Sequence, residues 1–299
     1  MIVLNLPDYP FQGQRFEVRP GLSMHYLDEG PKDGDVIVML HGNPSWSYYW
    51  RHLVLALRGR YRCIVPDHIG MGNSDKPGDS KYAYTLQSRV DDLSALLKHL
   101  GIERDITLAV HDWGGMIGFG WALSHAEAVR RLIITNTGAF PLPPAKPMPW
   151  QLVLGRNSLF GAFLIRAFNA FAAGAARYGV EQRMRPDVRD AYVAPYNSWK
   201  NRIATLRFVQ DIPLSPRDRA WSLVEQAGKR LPEFADRPTI IGWGLNDFVF
   251  DKHFLAGFTS ALPNAEVHAW EDAGHYLLED KHAQFVPKVL KFLERNPLR

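Results

Sequence analysis

Apolar residues in this chain gather in short runs separated by polar turns. Val36-Ile37-Val38-Met39-Leu40 is continuous and stops at His41-Gly42-Asn43-Pro44, as a strand buried on both faces would. Similar runs cover residues 62–65, closing at Pro66-Asp67, residues 106–110 and residues 131–135. Helical spacing fills the intervals. It predicts a helix over residues 48–57 and another over 86–100, where Val90, Leu93, Leu96, Leu97 and Leu100 share a face and Gly101 supplies the stop. A third is expected over 114–123, where Gly115, Gly118 and Gly120 permit close packing. Strands alternating with helices at this spacing predict a mostly parallel sheet covered on both faces.

The alternation then breaks. Pro141, Pro143, Pro144, Pro147 and Pro149 crowd one short stretch, which must be extended or irregular. From about residue 150 to 230 the pattern is helical and rich in aromatics, with no clear strand. Alternation resumes at residues 238–244 and 265–270, and a closing helix is expected over 283–293. The chain therefore reads as an α/β core, residues 1–138 and 231–299, with a helical cap, residues 139–230, inserted between two strands. No internal repeat is visible.

Composition adds exclusions. Of 299 residues, 46% are hydrophobic and 22% charged, as in an ordinary globular domain. No apolar run approaches the ~20 residues that span a bilayer. Lys plus Arg is 35 against 31 for Asp plus Glu, a net +4, with no basic track interleaved by aromatics, so nucleic acid is not an expected partner. The lone Cys63 lies in a strand-like run and is expected to be a buried thiol. A single cysteine and a start without a basic-then-apolar leader suggest the cytoplasm.

The stretch with most chemical content is Val110-His111-Asp112-Trp113-Gly114-Gly115. It sits between a strand and a helix, with a polar residue at the tight turn, the arrangement of a nucleophile elbow. Here the elbow carries aspartate, ionised at neutral pH without help from a base. Asp247, in Trp243-Gly244-Leu245-Asn246-Asp247, and His275, in Asp272-Ala273-Gly274-His275-Tyr276, follow later strands. The chain order nucleophile, acid, histidine is that of α/β-hydrolases. Asp112 would attack, His275 would act as base and Asp247 would orient the imidazole. Asn43 and the Trp113 indole are candidate donors towards an anionic leaving group, beside oxyanion-hole N–H groups from the Asn43 loop and Trp113. The turn-rich stretch from Asp67 to Asp75 is read as scaffold, with the role of His68 open. No metal cluster appears, and Gly70-Met71-Gly72 lacks the continuation of a dinucleotide fingerprint, so no cofactor is expected.

These motifs resemble the haloalkane dehalogenase branch of the α/β-hydrolase superfamily, over nearly the whole chain. In one large subgroup of that branch the acid is a glutamate after the strand preceding the cap. Here that stretch is Ile134-Thr135-Asn136-Thr137, so the resemblance is to the third subgroup, with Asp247 as acid. Within it, Asn43-Pro44-Ser45-Trp46-Ser47-Tyr48-Tyr49, Pro66-Asp67-His68-Ile69-Gly70 and His111 to Gly118 are similar to blocks of the β-lactone decarboxylases of bacterial long-chain olefin biosynthesis. Gly115 departs from the Ser or Ala common in dehalogenases. The resemblance implies decarboxylation of a cis-β-lactone bearing two long alkyl chains, to a cis-olefin and CO2. The same residues would also suit hydrolysis of a carbon–halogen bond, and attack on the lactone could fall on the carbonyl or on the oxygen-bearing carbon. An epoxide hydrolase is the third reading; it needs two cap tyrosines, nominally among Tyr178, Tyr192 and Tyr196. Phe160, Phe163, Leu164, Ile165, Phe168 and Phe171 recur at near-helical spacing. Most are expected to be core, with some at a pocket mouth. The stretch is also a candidate surface for assembly with other enzymes of olefin biosynthesis.

Overall fold

A computed structural model describes residues 6–298. Its strands are β1 (Gln14–Arg19), β2 (Leu22–Glu29), β3 (Val36–Leu40), β4 (Arg62–Pro66), β5 (Ile106–Asp112), β6 (Val129–Thr137), β7 (Thr239–Gly244) and β8 (Glu266–Trp270). They form one sheet in the order β1-β2-β4-β3-β5-β6-β7-β8. Every pairing from β4 to β8 is parallel, and β2 runs antiparallel to both its neighbours. This is the expected α/β-hydrolase architecture, a mostly parallel sheet flanked by helices. The hairpin ahead of Val36 is not marked by any apolar run, because β1 is an edge strand with alternating exposure. Its turn is Pro20-Gly21, where Gly21 takes φ +71°.

From β3 the chain steps outward to β4 and then returns to β5 on the other side. That reversal opens a crevice at the C-terminal ends of β3 and β5, where parallel sheets bind ligands. The loops there are His41 to Pro44 and the Asp112 turn. Helices α1 (Arg51–Leu57), α2 (Leu86–His99) and α3 (Trp113–Ala122) follow β3, β4 and β5 in turn. α3 lies against the sheet through glycine: a Cβ on Gly114 would stand 2.0 Å from the Leu40 carbonyl oxygen. Cys63 is buried in β4, and burial pushes its thiol pKa far up.

Between β6 and β7 lie α4 (Trp150–Asn157), α5 (Leu159–Phe168), α6 (Ala170–Tyr178), α7 (Pro186–Val193), α8 (Ile203–Gln210) and α9 (Trp221–Arg230). After β7 come α10 (Lys252–Ala261), α11 (Leu277–Asp280) and α12 (His282–Arg295). The expectation that most of the phenylalanines near residue 160 are core is wrong. Phe160, Phe163 and Phe168 are 62%, 48% and 67% exposed. The chain bends by 78° between α5 and α6, at Asn169 in the left-handed region. Only a narrow inner stripe, Gly161, Ile165, Ala172 and Ala176, is buried, and the outer stripe of the same amphipathic helices faces out.

A buried ion pair joins three elements behind the crevice. Arg51 of α1 donates to both carboxylate oxygens of Glu279 in α11, at 2.5 and 2.8 Å, and the Tyr192 hydroxyl of α7 donates to Glu279 at 2.5 Å. Burial works against the Glu279 charge, but the Arg51 guanidinium wins and holds its carboxyl below the usual range. Removing one member leaves the other charge buried without a partner, which costs about 3–5 kcal/mol. Glu279→Ala is therefore expected to lower stability by that amount at neutral pH in urea unfolding. A carboxyl with a lowered folded-state pKa contributes above its unfolded value and ceases to contribute as pH falls through the folded one. The gap between wild type and variant should accordingly close in acid.

Candidate active site

Asp112 ends β5 with φ +51° and ψ −126°, a backbone conformation that costs a non-glycine residue about 1–3 kcal/mol. The neighbours fix it there. Thr137 at the end of β6 donates its hydroxyl to the Asp112 carbonyl and accepts the Gly115 N–H at 3.1 Å. A Cβ on Gly115 would lie 2.1 Å from the Thr137 hydroxyl, which explains why this chain has glycine where a Ser or Ala would be usual. The turn lifts the Asp112 side chain into the crevice. Its Oδ1 accepts the Asn43 N–H at 2.6 Å, and the Trp113 N–H also favours the charged carboxylate. Gly42 permits that approach, because a Cβ there would fall 1.8 Å from Oδ1.

The other oxygen, Oδ2, lies 3.7 Å from His275 Nε2. His275 Nδ1 is 2.8 Å from Asp247 Oδ2, and Asp247 Oδ1 accepts the Val249 N–H at 2.7 Å. All three side chains are buried. Asn43 Nδ2 donates one hydrogen to the Thr205 carbonyl of α8 at 3.1 Å, leaving its second for the crevice. The Trp113 indole N–H makes no hydrogen bond among the described residues. The structure thus brings together the five residues singled out in the sequence: Asp112, His275, Asp247, Asn43 and Trp113.

Other residues act behind these and are not evident in the motifs. Asn136 donates to Asp247 Oδ2 at 3.1 Å and to the Gly244 carbonyl at 2.9 Å, while its own oxygen accepts the Gly244 N–H at 2.8 Å. It stands in the stretch where a glutamate is lacking, and that missing carboxylate was the only signal. His111 stacks on Tyr49 at 3.9 Å, with Nε2 2.9 Å from the His275 carbonyl oxygen, and so holds the histidine loop. His68 pairs with His41: its N–H donates to His41 Nε2 at 3.2 Å, and its Nε2 is 3.0 Å from the His41 carbonyl. Asp67 accepts N–H groups from Ser47 and Asn73 and pairs with His25. His68 and the Asp67 turn are therefore framework under the Asn43 loop.

Burial pushes the Asp112 carboxyl above the usual carboxylate range, although the His275 charge and the two N–H donors pull it back. For His275 burial works against the imidazolium, but Asp247, with Asp112 behind it, outweighs burial and raises its pKa. Each group therefore favours the charged form of the other.

The crevice continues into a cavity of about 590 Å³, within the range of small-molecule sites. Its polar floor is Asn43, Asp112, Trp113 and His275, and its walls are largely apolar, including Met116, Leu152, Phe171, Ile212 and Phe254. The tyrosines an epoxide hydrolase would need are not at its floor. Tyr192 donates to Glu279 and Tyr196 to the Ser45 carbonyl, and neither lines the cavity; Tyr178 is 73% exposed at its rim.

A family model for the alpha/beta hydrolase fold matches residues 35–282. The chain belongs to the alpha/beta hydrolase family. Among curated alpha/beta hydrolases it is 66% identical over 300 residues to a cis-3-alkyl-4-alkyloxetan-2-one decarboxylase of Xanthomonas campestris, covering 99% of this chain and 100% of that protein. It is 54% identical to the decarboxylase of the same name from Shewanella oneidensis, covering 95% and 89%. A haloalkane dehalogenase of Mycolicibacterium paratuberculosis is more distant, at 32% over 96% and 94% of the two chains. Among solved structures, the haloalkane dehalogenase DbeA of Bradyrhizobium elkani superposes with a TM-score of 0.86 at 25% identity, covering 95% of this chain and 98% of that one.

An alpha/beta hydrolase site of this kind is held against its own stability. A buried carboxylate whose pKa is raised destabilises the fold wherever it is ionised, and the penalty vanishes below its unfolded pKa. Asp112→Asn is expected to raise the neutral-pH melting temperature, by about 2–4 °C for each kcal/mol relieved. The gain should disappear in acid, as calorimetry at two pH values would register.

Proposed function

We propose that this chain is a β-lactone decarboxylase that converts a cis-3-alkyl-4-alkyloxetan-2-one into a cis-alkene and CO2. The observation that carries the reading is its full-length likeness to the Xanthomonas and Shewanella decarboxylases. The cavity supports it, since apolar walls above one carboxylate suit a substrate with two alkyl chains. Each methylene buried contributes about 0.8 kcal/mol to binding.

Asp112 is the nucleophile in this reading, and the oxygen-bearing carbon, C4, is its target. Both N–H groups of the would-be oxyanion hole are already engaged by the Asp112 carboxylate, so a lactone carbonyl has no free backbone donors to receive its charge. Attack by Oδ2 on C4, from the face opposite the ring oxygen, breaks the C4–O bond and gives an Asp112 alkyl ester. The ring oxygen becomes part of a carboxylate received by the second Asn43 Nδ2 hydrogen and the Trp113 indole. The electron pair of the C3–carboxylate bond then forms the C3–C4 double bond, and the pair of the C4–O bond returns to Asp112. CO2 leaves, no water is consumed, and the charge on both sides is one carboxylate. Inversion at C4 leaves the ester oxygen anti to the departing carboxylate while both alkyl groups stay on one side, so a cis-lactone gives a cis-alkene without bond rotation. An apolar wall that withholds water from the carboxylate favours its loss.

His275 and Asp247 complete a triad whose task is electrostatic here. An imidazolium beside Asp112 keeps a buried carboxylate ionised. In a dehalogenase the same His275, neutral, would activate water against the ester.

Gas chromatography–mass spectrometry of a cis-β-lactone with two long alkyl chains tests the reaction directly. Wild type should release the cis-alkene, and Asp112→Ala should release none above the uncatalysed background. Recovery of hydroxy acid alone would replace this reading with a hydrolytic one, to be pursued through halide release from haloalkanes. The pH profile tests the part given to His275. Without the imidazolium the Asp112 pKa rises further, so His275→Gln should shift the acid limb of alkene formation to higher pH and recover activity in base. Complete loss at every pH would instead mark His275 as a proton-transfer group.

A further inference from the structure

We propose that the outer face of α5 and α6 docks on an anionic lipid surface, so that the cavity fills from lipid and not from water. The inference rests on the decarboxylase reading only for what enters the cavity; the surface itself is visible without it. Leu159, Phe160, Phe163 and Phe168 stand outward along α5, and Leu159 is 92% exposed. Phe163 lies against both Phe168 and Trp199, with ring centroids 5.7 and 6.3 Å apart, so the patch is continuous and extends beyond one helix. It also joins the cavity mouth. Ala170 and Phe171, directly after the bend, line the cavity, and its large exposed apolar lining residues, Trp150, Tyr178 and Phe248, stand at its rim.

Charge identifies the occupant. Between Glu127 and Glu181 the chain has no acidic residue, and its charged residues there are arginines and one lysine. Arg177 of α6 and the exposed Lys200 beside Trp199 have no carboxylate within 4.0 Å among the described residues, nor does Arg166, whose guanidinium lies over the Trp199 ring at 4.6 Å. Outward Phe and Leu, rim Trp and Tyr, and cations without a salt-bridge partner are the composition of a helix lying in a lipid headgroup layer. No single helix among the described residues is long and apolar enough to cross a bilayer; α5 and α6 reach that composition only as a pair bent by 78°. That geometry suits contact with one leaflet.

Co-sedimentation of the full chain with vesicles of equal parts phosphatidylglycerol and phosphatidylcholine tests this without substrate, so a failed decarboxylation assay would not obscure it. Wild type should bind these vesicles and bind pure phosphatidylcholine much less. Phe160→Ser/Phe163→Ser/Phe168→Ser should weaken binding about tenfold or more, and Arg177→Gln/Lys200→Gln should erase the preference for the anionic lipid. Circular dichroism and turnover of a short-chain, water-soluble lactone should be unchanged in both variants. Wild type left in the supernatant at low salt, or the triple variant sedimenting like wild type, would overturn the proposal. So would a wild-type multimer that the triple variant splits, because a protein would then cover the face.

Discussion

The rest of the site depends on one buried carboxylate held at a strained turn. Asp112 occupies φ +51° because a strand must end, a helix must begin and the side chain must point into the crevice between them. Every close contact around it follows from that. Gly42 is bare because Asp112 Oδ1 occupies the place of a Cβ, Gly114 because the Leu40 carbonyl does, and Gly115 because Thr137 does. The two N–H groups that would otherwise be free at the helix start and the Asn43 loop are taken up by the Asp112 carboxylate, that of Asn43 by Oδ1. The carboxylate is thus oriented before any substrate arrives, with one oxygen anchored and the other presented.

That anchoring separates two chemistries that share the same side chains. A serine elbow leaves its backbone donors empty, to receive the oxygen of a substrate carbonyl. An aspartate elbow fills them with its own oxygen. In the reading proposed above, what remains for the substrate is the pair of side-chain donors, Asn43 Nδ2 and the Trp113 indole, on the far side of the attacked carbon. Such a site is complementary to a group leaving from a saturated carbon, whether halide or carboxylate. The family likeness to both dehalogenases and lactone decarboxylases is intelligible on that ground. Hydrolysis adds only a requirement for water and a neutral His275.

Much of this was legible in the sequence, because periodicity and chain order report directly on backbone position. Apolar runs located β3 to β8, and their polar ends supplied Asn43, Asp112, Asp247 and His275. What escaped has a physical reason in each case. The β1–β2 hairpin is an edge whose outer strand alternates in exposure, so it lacks a buried run. Asn136 acts through an amide on the Asp247 carboxylate and the Gly244 backbone, and amides at strand ends carry no distinctive spacing. The α5 phenylalanines share a helical face by periodicity, but spacing cannot say whether that face meets protein or solvent. Tyr192 and Tyr196 sit in the right segment, yet hydrogen bonds to Glu279 and Ser45 turn them away from the cavity.

The stability of the histidine loop links the helical segment to the chemistry. Glu279 lies just after His275 in the chain and is clamped by Arg51 from the core and Tyr192 from α7. His111, next to Asp112, holds the His275 carbonyl from the other side. A shift of α7 would therefore be felt at the imidazole through Tyr192 and Glu279, and a shift of α8 at Asn43 through the Thr205 carbonyl. α8 touches Asn43 directly through the Thr205 carbonyl and lines the cavity through Val209, while α7 reaches the histidine loop through Glu279. The segment that helps to wall the cavity is in this way also the segment that holds the Asn43 side chain and braces the His275 loop. Substrate fit and catalytic geometry are consequently coupled through the same helices.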